Sequence, residues 1–337
     1  MPHIYLDAMG GDNAPACTVA GALEALRLNS ELKVTLAGVL DEIKPLLTGA
    51  EDVMERIVLA DTPEVITNHD APVMAVRQKK QSAIVQGMLA VRDGAADGFV
   101  SAGSTGAVLA GGMFRLGRLP GVERPALAPL LPNGKDFFCL IDCGANVDSL
   151  PEYLPQFGVM GAAYMRLVRG MDDPRVGLVN IGAEAEKGNA LVKAAYPLME
   201  KAPFRFVGNV EGRDITADVA DVVVCDGFYG NLILKFMEGV AGTLLGMIKT
   251  ELMADPRSKL GALLAKPAFR RVKKTMDYTE VGGAPLLGVN GVVVKAHGSS
   301  NAHAIACAIR QAVLMAEKKV PQTIGGEIAR LTGAENN

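Results

Sequence analysis

The stretch Ile4-Tyr-Leu-Asp-Ala-Met-Gly-Gly-Asp-Asn-Ala-Pro15 runs an apolar strand into paired glycines flanked by Asp7 and Asp12, then into an apolar helical pattern. Adjacent Gly10 and Gly11 permit positive φ and a close backbone approach to a ligand, and Pro15 suits the first turn of the following helix. The segment reads as an active-site turn. Taken alone it is equally well an acid-glycine turn ending a buried strand for steric reasons.

The same alternation continues outward along the chain. Apolar runs predict strands at His3–Leu6, Lys33–Ala37, Arg56–Leu59, Gly98–Ser101, Phe137–Ile141, Val176–Asn180, Phe204–Val207, Asp221–Cys225 and Val292–Ala296. Helical spacing predicts helices at Ala14–Arg27, Val73–Arg92, Leu154–Arg169, Asn189–Glu200, Asn231–Leu252 and Asn301–Glu317. Such a pattern predicts an α/β fold with a mostly parallel sheet and helices on both faces. The 337 residues, 49% hydrophobic and 21% charged, can bury a large core, read as two lobes of one unit over residues 1–330, with 331–337 as a flexible tail.

Composition narrows the function. A net charge of −3 argues against general nucleic-acid binding, so any basic patch is local and serves a particular partner. Cys17, Cys139, Cys143, Cys225 and Cys307 are scattered, with no C-x-x-C and no plausible metal set, which predicts a reduced cytoplasmic setting. Asp7 and Asp12 interrupt the first apolar run and no basic region precedes it, so no signal peptide is expected. The longest uncharged stretch, Gly98–Phe114, is glycine-rich and reads poorly as a membrane span. A soluble protein is the expectation.

Several predicted strands end in polar glycine turns. Asp97-Gly-Phe-Val-Ser-Ala-Gly-Ser-Thr-Gly106 aims backbone amides and the hydroxyls of Ser104 and Thr105 at one spot. Leu140-Ile-Asp-Cys-Gly-Ala-Asn146, Asn180-Ile-Gly-Ala-Glu-Ala-Glu-Lys-Gly188, Cys225-Asp-Gly-Phe-Tyr-Gly-Asn231 and His297-Gly-Ser-Ser-Asn301 repeat the pattern. Any one of them is more simply a helix cap. Together, at the carboxyl ends of parallel strands, they favour an oxyanion or phosphate ligand. Neither G-x-x-x-x-G-K-[ST] nor a G-x-G-x-x-G after the first strand is present, which disfavours nucleotide and dinucleotide sites.

Seven ordered blocks then point to one family. Asp7-Ala-Met-Gly-Gly-Asp12, Ser101-Ala-Gly-Ser-Thr-Gly-Ala107, Asp142-Cys-Gly-Ala-Asn146, Gly208-Asn-Val-Glu-Gly-Arg-Asp214, Asp226-Gly-Phe-Tyr-Gly-Asn231, Gly282-Gly-Ala-Pro-Leu-Leu-Gly-Val-Asn-Gly291 and His297-Gly-Ser-Ser300 resemble the PlsX phosphate acyltransferases of bacterial phospholipid synthesis. The resemblance implies that acyl-[acyl carrier protein] and inorganic phosphate give acyl phosphate and free carrier protein, without a metal or organic cofactor. It also implies a two-lobed fold like that of isocitrate and isopropylmalate dehydrogenases, and a homodimer loosely associated with the membrane. Ser104 departs from the Asn expected in its motif, though a hydroxyl still donates and accepts a hydrogen bond.

Phosphate is anionic near neutral pH and attacks a thioester without a strong base, so the protein must hold it and stabilise the oxyanion. Spacing alone reads Lys187 as a solvated loop lysine and Asn231 as an N-cap. The resemblance makes both catalytic candidates. His297, ending the last predicted strand, reads as proton donor to the departing thiolate, as a phosphate ligand, or as a satisfied structural residue. The polar glycine turns are expected to hold phosphate or substrate through Gly10, Gly11, Ser104, Thr105, Gly144, Asn146, Gly227, Ser299 and Ser300. Asp7, Asp12, Asp142 and Asp226 are expected to orient turns, since carboxylates on phosphate would repel it. Cys225 is a tempting acyl acceptor before Asp226-Gly, but it follows Val222-Val-Val and reads more simply as a buried strand residue. Direct attack by phosphate is preferred.

A basic amphipathic element at about 255–278 carries Arg257, Lys259, Lys266, Arg270, Arg271, Lys273 and Lys274, interleaved with Leu260, Leu263, Leu264, Phe269, Val272 and Met276. Pro267 suggests two short helices. The element suits an acidic carrier protein, through Arg270, Arg271, Lys273 and Lys274, or an anionic membrane, while an ordinary helical hairpin at a dimer contact explains it equally. The apolar surplus of Leu232–Leu252 is compatible with subunit contacts. The competing classes are a dehydrogenase of similar fold, a non-catalytic carrier-protein binder, and synthesis of acetyl phosphate from a coenzyme A thioester.

Overall fold

A computed structural model describes residues 1–276, those from 273 onward as backbone, and 281–333. Twelve strands form two sheets among these residues: β1 (His3–Asp7), β2 (Lys33–Gly38), β3 (Ile57–Asp61), β4 (Gly98–Ser101), β5 (Ala126–Leu127), β6 (Leu130–Pro132), β7 (Phe137–Ile141), β8 (Arg175–Asn180), β9 (Arg205–Glu211), β10 (Val222–Val224), β11 (Ala284–Leu287) and β12 (Val292–Lys295). The first sheet has the order β3-β2-β1-β4-β12-β11-β5 and the second β6-β7-β10-β8-β9. All pairings are parallel except those of β11 and of β6. The expected mostly parallel α/β architecture is therefore present, divided between two lobes.

Every predicted strand is found within a residue or so at most ends. The unpredicted β5, β6 and β11 are short and antiparallel, and Leu130-Leu-Pro132 and Ala284-Pro-Leu-Leu287 contain proline, which weakens a strand pattern. They matter because β5 pairs with β11 in the first sheet and β6 with β7 in the second. The chain thus crosses between lobes over Ala128 and Pro129, and it places the apolar side chains nearby at the interlobe boundary.

The helices are α1 (Ala16–Leu28), α2 (Leu40–Ile43), α3 (Pro72–Gln78), α4 (Ala83–Arg92), α5 (Thr105–Gly111), α6 (Tyr153–Arg169), α7 (Ala190–Glu200), α8 (Gly227–Leu252), α9 (Pro256–Met276), α10 (Ala302–Glu317) and α11 (Val320–Thr332). The predicted helix Val73–Arg92 is two helices, because Ser82 caps α4 by accepting from the Val85 amide. Central strands such as β4 and β10 are buried along their whole length, as parallel strands covered on both faces require. Tyr164, Phe99, Phe138 and Phe157 are the largest fully buried side chains, and the Tyr164 hydroxyl accepts from Gln311 Nε2 at 2.7 Å, tying α6 to α10.

Two expectations for the basic region change. It forms one continuous helix, α9, with Pro267 inside it, rather than two. Leu263, whose carbonyl loses its i+4 donor at the proline, is 64% exposed, so solvent reaches that turn and a break is not forced. Lys273 and Lys274 lie on α9, but their side chains are outside the described residues, as are 277–280 of the element and 334–337 of the expected tail.

The long helix α8 begins four residues earlier than expected and leaves Phe236, Val240, Leu244 and Met247 exposed, as α9 leaves Leu260, Leu263 and Leu264. By length and composition α8 is the one helix among the described residues that could cross a membrane. Its first turns nevertheless line the cleft described next, with Lys235 and Glu238 among them.

Candidate active site

The carboxyl ends of β1, β4 and β12 meet in one set of interlocking turns. Asp7, buried at the end of β1, accepts from Ser101 Oγ through Oδ2 at 2.7 Å and from the Met9 amide through Oδ1 at 3.1 Å. Ser101 Oγ in turn accepts from the Gly103 amide at 3.0 Å. A Cβ on Gly10 would stand 2.6 Å from both Asp7 Oδ2 and the Gly103 nitrogen, so the two turns close only with glycine there. The Asp12 amide donates to the Gly298 carbonyl at 2.8 Å, which binds in the turn after β12. Burial raises the Asp7 carboxyl above its usual value, against the Ser101, Met9 and Gly10 hydrogen bonds and the Lys295 charge.

In the second lobe Asp142 plays the corresponding part after β7. Its Oδ1 accepts from the Leu127 and Ala145 amides, and its Oδ2 from the Asn146 amide and Asn146 Nδ2, at 2.6–3.2 Å. Burial pushes this carboxyl up to about 6 despite those donors. Asn146 Nδ2 also reaches the Pro125 carbonyl, so its side chain is engaged in holding the loop. The Gly227 amide donates to the Asn146 carbonyl at 2.8 Å, and Asp226 caps α8 by accepting from the Tyr229 amide at 2.9 Å.

Between the lobes lies a cleft of about 350 Å³. Thr105, Lys295, His297 and Ser300 from the first lobe line it together with Asn231, Lys235 and Glu238 of α8. Asp12 and the apolar residues Leu127, Leu130, Leu131 and Leu234 complete much of the lining. His297 Nδ1 is 2.8 Å from Ser299 Oγ and its Nε2 is 3.4 Å from Lys235 Nζ, while Lys235 pairs with Glu238 at 2.8 Å. Burial, then the Lys235 charge, hold the His297 imidazole below its usual value. No group of three His, Cys, Asp or Glu able to hold a metal ion occurs among the described residues.

The structure gathers Asp12, Thr105, Asn231, His297 and Ser300 onto the cleft, with Gly144 behind Asn231. Asp7, Gly10, Ser104, Asn146, Asp226 and Gly227 form the framework of the turns. Asn231 sits in the second turn of α8 rather than capping it, because Asp226 is the cap. Gly11, at φ +108°, lets the first turn reach Gly298. Lys187 is placed elsewhere, on the exposed loop after β8, where its carbonyl accepts from Asn180 Nδ2 at 3.1 Å. That loop borders a second, mainly apolar cavity of about 250 Å³ through Gly188 and Asn189.

Sequence reading missed Lys235 and Lys295. Lys235 comes four residues after Asn231 and Glu238 comes seven after it, a spacing that puts all three on one helix face. Lys295 ends the run Val292-Val-Val-Lys295, and a charge closing a buried strand is itself a signal. Ser101, quoted only as part of a motif, proves to be the partner of Asp7.

The α/β scaffold brings its strand ends to a partly apolar cleft lined by hydroxyls, an amide and charges of both signs, Lys235 and Lys295 with Asp12 and Glu238, the setting of an enzyme-like site. Residues 3–323 match the family model described as "Fatty acid synthesis protein". The chain is 46% identical over 328 residues to a protein of Clostridium acetobutylicum named "Phosphate acyltransferase", covering 97% of this chain and 99% of that one. It is 50% identical over 323 residues to a protein of the same name from Bacillus cereus, covering 95% and 96%. The solved structure of a phosphotransacetylase from Streptococcus pyogenes shares the fold at a TM-score of 0.62 and 18% identity, with 94% of each chain covered. The chain belongs to the PlsX phosphate acyltransferase family.

Proposed function

We propose that this protein transfers an acyl group from acyl-[acyl carrier protein] to inorganic phosphate, releasing acyl phosphate and the free carrier thiol. The observation that carries the reading is the cleft itself, where hydroxyl, amide and ammonium donors and apolar side chains line one space at the strand ends of a family member. A phosphate oxygen forms the new bond to the thioester carbonyl carbon, the carbon–sulfur bond breaks, and its electron pair leaves with sulfur. The proton of hydrogen phosphate ends on the carrier thiol.

Within this reading Thr105 and Ser300 hold phosphate, and the Asn231 carboxamide donates to the developing oxyanion. His297 relays the proton to sulfur; its lowered value keeps it largely neutral at pH 7, able to accept one proton and release another. Lys187, exposed on the loop after β8 and outside the cleft lining, stays a candidate cationic donor on the family resemblance alone. The exposed apolar rows of α8 and α9 support a homodimer and a peripheral contact with the cytoplasmic face of the membrane, and the α9 cations support docking of the acidic carrier protein.

The test is acyl-hydroxamate formation after incubation with long-chain acyl carrier protein and phosphate. A phosphate-dependent product is expected, with the coenzyme A thioester the poorer donor. Absence of product from folded protein and intact carrier would overturn the reading, and preference for the coenzyme A thioester would replace the donor.

A further inference from the structure

Lys295 is buried, 8% exposed, at the end of β12, yet it has no carboxylate within ion-pair distance among the described residues. Its ammonium donates to two neutral acceptors, the Ala102 carbonyl at 3.4 Å and the Ala296 carbonyl. An ammonium has three donors, so one remains, and Lys295 lines the cleft. A buried charge without a counter-ion costs several kcal/mol, so such an arrangement is stable when an anion completes it. The two carbonyls also fix where the charge sits. Ala102 belongs to the turn that leads to Thr105, and Ala296 to the turn that leads to His297 and Ser300. The other cation of the cleft, Lys235, is exposed and already paired with Glu238.

We infer that Lys295 is the fixed cation that binds the attacking phosphate in the interlobe cleft, an inference that rests on the phosphate-acyltransferase reading above. The ammonium neutralises part of the phosphate charge and holds the anion between the Thr105 and Ser300 hydroxyls, facing the thioester. Asp7 and Asp12 keep Lys295 protonated from a distance without touching the anion.

A consequence for pH follows. Burial lowers the Lys295 ammonium to about 8, with the Asp7 and Asp12 charges pulling it up and Lys235 pushing it further down. The groups facing it are Asp7 and Asp12 from the turn after β1, Lys235 and Glu238 from α8, and His297 from its own turn. Phosphate affinity should fall as pH rises through about 8, by up to tenfold per pH unit, while phosphate itself is already dianionic there.

The experiment measures KM for phosphate and for acyl carrier protein between about pH 7 and about pH 9.5, with calorimetric phosphate binding to the resting enzyme, in wild type, Lys295→Met and Lys235→Gln. At pH 7, Lys295→Met should raise KM for phosphate about 10- to 100-fold and leave KM for the acyl donor unchanged. Its profile should be flat above pH 8, whereas Lys235→Gln should keep the alkaline break. Folded Lys295→Met with an unchanged phosphate KM, while wild type makes acyl phosphate, would overturn this inference and leave the functional reading intact. Failure of wild type to make acyl phosphate would remove the reading itself. Should Lys295→Met not fold, an alkaline break retained in Lys235→Gln supports the inference, and a flat wild-type profile refutes it.

Discussion

The Cα of Gly230, in the first turn of α8, packs so tightly against the Asp142 carbonyl that a Cβ there would lie far inside van der Waals contact with the oxygen. The obstacle is backbone on both sides, so no side-chain rotation relieves it. Gly230→Ala should therefore push α8 away from the Asp142 loop, costing about 3 kcal/mol or more of stability and displacing Asn231 from the cleft. Gly326→Ala, on the exposed face of α11 with nothing near the new methyl, should instead gain about 0.5–1 kcal/mol. Urea titrations of both variants, with hydroxamate formation for the first, check the contrast. A fully stable and active Gly230→Ala would disprove the packing argument.

Ser101→Ala removes the side-chain hydroxyl that donates to buried Asp7. Leaving a buried carboxyl oxygen without its donor costs about 1–3 kcal/mol. The sign of its pH dependence follows from Asp7. Burial already raises this carboxyl in the folded state above its unfolded value, so its stabilising contribution is present at acid pH and is lost as pH rises through the folded value. Removing Ser101 raises it further. The deficit of Ser101→Ala relative to wild type should therefore shrink toward acid pH, and a deficit that grows there would show that the hydrogen bond is not to the charged form.

Asn231→Ala and Lys187→Ala separate two ways of supplying donors. Asn231 faces the cleft, and its loss should lower kcat about 10²- to 10³-fold with little change in the denaturation midpoint. Lys187 is exposed on its loop, so its removal should leave stability unchanged while acyl-phosphate formation falls. Near-normal turnover by either variant would strike that residue from the catalytic set.

Much of this organisation was legible in the sequence. The alternation of apolar runs and helical patterns located nine of the strands, because parallel strands buried on both faces are uniformly apolar and bounded by glycine turns. β5, β6 and β11 escaped because two to four residues, with a proline in β6 and in β11, carry no period. Asp226 was readable as a cap only with hindsight, since Gly227 and Gly230 disguise the first turn of α8 as a loop. Glycine is there because the Asn146 and Asp142 carbonyls exclude a Cβ, a tertiary reason that local propensity does not encode. Lys187 and Lys295 illustrate the same limit in the site. The family resemblance selected the first, while the second, a charge closing a buried strand, gained a role only when β12 was seen beside β4 and its ammonium was found between the Ala102 and Ala296 carbonyls.

Direct attack by phosphate predicts that no cysteine carries the acyl group. Cys225 and Cys143 are buried, and burial pushes both thiols well above their usual value, so little thiolate exists at pH 7. Cys225→Ser can keep a donor to the Asp142 carbonyl, which Cys225 Sγ now reaches at 3.6 Å. Cys225→Ser and Cys143→Ala should turn over within about threefold of wild type. Stoichiometric trapping of an acyl-cysteine by mass spectrometry would establish the covalent route instead.

Carrier-protein docking on α9 makes a salt-dependent prediction. Arg270 and Arg271 lie on a helix that has no acidic residue from Arg257 to Met276, whereas the protein as a whole carries a net charge of −3, so the positive field is local. Attraction between exposed opposite charges acts within about 10 Å at 0.1 M salt and chiefly raises the association rate. Arg270→Glu with Arg271→Glu should therefore weaken carrier binding about tenfold or more at low salt and progressively less as salt rises, with phosphate KM unchanged. The apolar residues earlier on α9, Leu260, Leu263 and Leu264, offer a separate handle, because serine there should reduce partition onto anionic vesicles while leaving carrier association rates intact. Stopped-flow association and vesicle flotation on the two variants distinguish the roles. Unchanged carrier binding at low salt in the charge-reversed protein would remove α9 from the docking surface and leave the membrane or a second subunit as its counterpart.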